Sequence, residues 1–134
     1  MDIRWQAESS IIINATAGTL VMDPLPGSKP GPDIDSSSCV VTVSHAAVLP
    51  GIEGWKDTVH VIRGPGEYEI SGLGVHGIAV PLGDSNDPRA LNTVYALDAE
   101  MITVCNLGGL NGPLPAQAAQ LIGRVDVLIT PAGG

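Results

Sequence analysis

Apolar residues in this chain come in short runs, and turn formers separate them. Ile11-Ile12-Ile13 and Thr19-Leu20-Val21-Met22 flank Asn14-Ala15-Thr16-Ala17-Gly18, which predicts a hairpin ended by Asp23-Pro24. Residues 24–38, rich in Pro, Gly, Ser and Asp, read as loop. Cys39 to Ser44 reads as a buried strand. Two Gly and a Pro within 46–57 allow one short helical turn at most. Thr58 to Arg63 alternates as a strand does, Gly64-Pro65-Gly66 turns, and Glu67 to Ile70 and Leu73 to Val80 follow as strands. Leu82 to Ala90 is polar and loop-like. Asn92 to Leu97 and Met101 to Leu107 predict a second hairpin around Asp98-Ala99-Glu100.

One helix is expected. Pro115 suits a first helical position and Gly123 a C-terminal stop. Between them Leu114, Ala118, Leu121 and Ile122 share a face. Asp126 to Thr130 reads as a last buried strand. About eight strands and one helix make an α+β chain. One helix cannot cover both faces of so large a sheet. Either two sheets face each other, or a second chain supplies cover.

Length and composition narrow the class. At 134 residues and 44% hydrophobic, the chain is long enough for one domain with a modest core. With two Trp, two Tyr and no Phe, that core must come from Ile, Val, Leu and Ala. The net charge of −8 argues against nucleic acid and anionic membranes as partners. The acids are spread along the chain, as on a solvated surface. The beginning MDIRWQAESS lacks a basic segment followed by an apolar one, and no apolar run reaches membrane-spanning length. The expected compartment is the cytoplasm. Cys39 and Cys105 lie in apolar runs and are expected to be buried free thiols.

Candidate chemistry is sparse. Gly72-Leu73-Gly74-Val75-His76-Gly77 spells G-x-G-x-x-G, but strand-like Ile78-Ala79-Val80 follows where a dinucleotide site needs a helix. It reads as a glycine-rich hairpin. His45, His60 and His76 share no ligand spacing, and Cys39 and Cys105 form no CxxC. Ser44 and His45 are adjacent at a strand end, so alternation points them to opposite faces and predicts that they form no Ser–His pair. Asp23 could lie near, yet no order of Ser, His and acid marks a triad.

Several stretches together resemble the metallo-β-lactamase fold superfamily, in its small zinc-dependent hydrolase branch, similar to the L-ascorbate-6-phosphate lactonase group. They are Ile3-Arg4-Trp5, GTLVMDP (Gly18 to Pro24), VVTVSH (Val40 to His45), GPGEYE (Gly64 to Glu69), Asn92-Thr93-Val94-Tyr95 and VDVLITPAGG (Val125 to Gly134). The resemblance implies a single domain over 1–134 with αββα layers. It also implies an incomplete one, spanning about two thirds of the family domain. It implies a zinc loop, H-x-H-x-D-H, after the strand that ends at His45. The later positions of that loop fall on Ala47, Leu49 and Pro50. A further family His falls near Leu82, and the metal-bridging Asp falls on Gly109. Where the family often has Gly-His-Ser after Trp5, this chain has Ala7-Glu8-Ser9.

One ligand in such a set cannot hold zinc or activate its water. No catalytic, cofactor-binding or metal residue is therefore assigned, and no cofactor is expected. His45 is expected to bond to backbone. The chain is expected to be a non-catalytic member of the fold, a structural or binding subunit that self-associates, as a homodimer or with a second chain. The alternative is a metal-dependent hydrolase completed by another chain. A small neutral or hydrophobic ligand in the old pocket is a third expectation.

Overall fold

The computed structural model describes residues 1–82 and 91–132, so most of the expected 82–90 loop lies outside the described residues. Two five-stranded sheets face each other. The first runs β1 (Asp2–Ala7), β2 (Ser10–Ala15), β3 (Gly18–Met22), β4 (Cys39–Val43), β5 (His60–Arg63) in that order. The second runs β10 (Val127–Ile129), β9 (Ile102–Asn106), β8 (Leu91–Ala99), β7 (Leu73–Pro81), β6 (Gly66–Ile70). Hairpin connections make most pairs antiparallel, while β3–β4, β4–β5 and β9–β10 are parallel.

Period-two alternation sorts the side chains. Leu20 and Met22 of β3, Val40 of β4, Leu73 and Val75 of β7, Tyr95 and Leu97 of β8 and Val104 of β9 meet between the sheets. Fully burying such an aliphatic side chain contributes roughly 1.5–3 kcal/mol. The other faces are covered by the chain itself. Residues 24–38 and 44–57 fold over the first sheet, placing Ile52 and Trp55 on Val21, Cys39, Val41 and Val43. The helix α1 (Ala116–Ile122) lays Ala118 on Ile78, Val80, Val94 and Cys105 of the second. The facing-sheet solution is thus the one adopted.

Several local expectations change. Residues 46–52 form a 3-10 run through Pro50 rather than a single turn. Pro115 is the N-cap, one residue before the helix, and Leu121 is more than half exposed while Leu114, Ala118 and Ile122 pack inward. A seven-residue helix on one sheet presents too narrow a stripe to bury all four. The β8–β9 turn sits at Glu100-Met101, both at positive φ, because β8 continues through Asp98 and Ala99. The last strand is an edge strand with Leu128 55% exposed, not a buried one. Ser71-Gly72 form a turn and Leu73–Pro81 is all strand, so the glycine-rich stretch is a hairpin as expected. Among the described residues no helix is long and apolar enough to cross a membrane.

Candidate functional site

The polar groups of interest gather where β3, β4, β8 and β9 meet at one end of the sandwich. Chain geometry after β3 begins it. Asp23 adopts φ 49, a left-handed conformation that Asp tolerates better than most residues. Its N–H donates to Thr42 O at 2.9 Å, extending the parallel ladder by one rung. The turn carries its carboxylate across the end of β4. There Oδ1 accepts from Ser44 N–H at 2.8 Å and Oδ2 accepts from Ser44 Oγ at 2.6 Å. Asp23 and Ser44 are both buried. Burial pushes the Asp23 carboxyl up from its ordinary value of 3.8, and the two Ser44 hydrogen bonds and the nearby His45 offset that only in part.

Ser44 and His45 are in contact, contrary to the alternation argument: Ser44 Oγ lies 2.8 Å from His45 Nδ1. Alternation holds inside a ladder, and β4 ends at Val43. Past that point the imidazole folds back over its neighbour. This also replaces the expected backbone partner with a hydroxyl. An ionised Asp23 can only accept, so the Ser44 proton belongs to it, and Nδ1–H of His45 donates to Oγ. In that tautomer the lone pair sits on Nε2. The serine is committed to the aspartate and buried, so the trio orients an imidazole and does not present a nucleophile.

The second sheet closes over this trio. Ser44 O accepts from Thr93 N–H at 2.7 Å, joining β4 to β8. Asn92, fully buried at the start of β8, accepts from Gly109 N–H and donates Nδ2–H to Leu107 O, each at 2.8 Å. It thereby fixes the loop after β9. That loop presses two glycines on the trio. A Cβ on Gly108 would stand 2.6 Å from Ser44 Cβ and 2.6 Å from Asn92 Oδ1, and Gly108 has φ 64. A Cβ on Gly109 would stand 2.6–2.9 Å from three atoms of the His45 ring. The imidazole occupies the volume that a side chain at 109 would need.

Beside the trio, Tyr95 fastens the two sheets. Its hydroxyl donates to Val43 O at 3.0 Å and accepts from Gly64 N–H at 2.8 Å. Burial pushes its pKa up to about 12.

The remaining candidates do not join the site. His60 lies on β5 with Nε2 3.3 Å from Ser37 O, and His76 lies on β7 opposite Glu67. Cys39 and Cys105 are buried on separate sheets, each thiol pushed up to about 11 by burial. Ala47, Leu49 and Pro50 all belong to the 3-10 run after His45. Among the described residues, no three His, Cys, Asp or Glu converge as a metal site requires. The described residues therefore do not by themselves make up the zinc site that the resemblance implies. Sequence reasoning missed Asn92 and Asn106. Their signal was an Asn at one limit of an apolar strand, the start for Asn92 and the end for Asn106, and Asn106 leads directly into the glycines.

The geometry can now be set beside known proteins. A candidate Zn-dependent hydrolase of the metallo-β-lactamase superfamily from Thermotoga maritima is 26% identical, with a TM-score of 0.66. The match covers 94% of this chain and 58% of that one. Zn2+-bound PqqB from Methylobacterium extorquens is 14% identical with a TM-score of 0.59, over 96% of this chain and 61% of its own. CmlA, a diiron β-hydroxylase from Streptomyces venezuelae, is 12% identical with a TM-score of 0.69, over 94% of this chain and 33% of its own. The last two share the fold alone. This chain thus spans about three fifths or less of the length of each. No curated protein matches. A family model for the beta-lactamase superfamily domain matches residues 2–134, and the chain belongs to that family.

Proposed function

We infer that this chain is a non-catalytic member of the superfamily that works as a binding or structural subunit. The observation that carries this is the His45 imidazole packed on Gly109, where the resemblance puts the bridging Asp. The His45 ring takes the space that a side chain at 109 would need. Ala47, Leu49 and Pro50 add no lone pairs. The buried Asp23 gives both its oxygens to Ser44.

Self-association is the mode of action that the surface supports. β10 is an edge strand with a free side among the described residues, and such edges template pairing. Leu128 on that strand and Leu121 on α1 are 55% and 57% exposed. A symmetric dimer would cover such an edge and both leucines.

Zinc titration followed by thermal unfolding tests the assignment, with native mass spectrometry on protein purified without chelator. The expected result is a metal-free dimer whose melting temperature zinc leaves unchanged. Ligand binding to the native state raises stability by mass action. A zinc-dependent rise of several degrees with one or two bound zinc ions would return the hydrolase to first place.

A further inference from the structure

We draw no further inference here: the strongest candidate, the cavity of about 90 Å3 between the outer face of the first sheet and the 24–29 loop, lined by Ser10, Ile12, Val21, Ser28, Lys29 and Trp55, carries nothing because the Trp55 indole N–H already donates to Ser28 Oγ and nothing in the structure shows what fills it.

Discussion

The two ends of the sandwich are built by opposite means. At one end Asp23, Ser44 and Asn92 are buried, hydrogen bonds from Asp23 and Asn92 tie separate chain segments together, and two glycines close the remaining space. At the other end, the β8–β9 turn is held by surface pairs. Glu100 accepts from Thr16 Oγ1 at 2.8 Å and lies 3.2 Å from the α-amino group of Met1, while Met101 is fully exposed. Both ends are polar and only one is closed to water. Buried polar groups are costly to leave unpaired, whereas exposed pairs compete with solvent on nearly equal terms. The end that carries His45 is thus the end closed to water.

Substitutions can break that contrast, and the largest effect belongs to Gly108. Gly108→Ala places a methyl group against Ser44 Cβ and Asn92 Oδ1 at a φ unfavourable to alanine. A loss of about 2–5 kcal/mol is expected in urea unfolding, from overpacking and backbone strain together. Loss near zero would show that the loop after β9 is not clamped.

Next is Tyr95→Phe, which removes the acceptor for Gly64 N–H and the donor to Val43 O. About 1–3 kcal/mol should be lost, measured in the same way. Asp23 gives a paired test. Asp23→Ala strips Ser44 of both its partners on that side and should cost about 1–3 kcal/mol. Asp23→Asn can still accept from Ser44 N–H, and its amide can donate to Oγ, so it should stay within about 1 kcal/mol of the parent.

The pH dependence sharpens the comparison, because the two carboxylates shift in opposite directions. Burial raises Asp23 above 3.8, so between that value and its folded value the native chain holds a proton that the unfolded chain releases. Its contribution to stability therefore falls as pH rises through that window, and Asp23→Asn should remove the slope. The Thr16 hydroxyl and the α-amino group hold Glu100 below 4.5, so its contribution is present above that value and is lost as pH falls through its folded value. The smallest effect is expected for Glu100→Gln, whose melting temperature at pH 7 should match the parent within error. A clear drop would mean that the open end is more tightly built than its exposure suggests.

Much of the fold was legible because apolar runs and turn residues alternate so regularly. The hairpins at Ile11 to Met22 and at Asn92 to Leu107 follow directly from that pattern. The site was legible only in outline. Gly109 and His45 were each picked out by the resemblance, but nothing in their spacing says that one sits on the other. The Ser44–His45 contact was misread because a periodicity rule was carried one residue past the end of its strand. The left-handed turn at Asp23 had a faint signal in Asp-Pro after an apolar run. The role of its carboxylate depends on β3 and β4 being neighbours, which is a tertiary fact. Leu121 was misplaced because helical periodicity gives a face and not its width.

The Tyr95 phenol has one more consequence. Gly64 sits in a turn between exposed Arg63 and Pro65, where an amide would ordinarily trade its hydrogen with water quickly. Its N–H instead ends on the buried Tyr95 hydroxyl, which in turn donates to Val43 O of the other sheet. Deuterium should enter that turn only when the two sheets part, at a rate set by global opening rather than by local fraying. Gly64 would then be a single-residue clock for the separation of the two sheets.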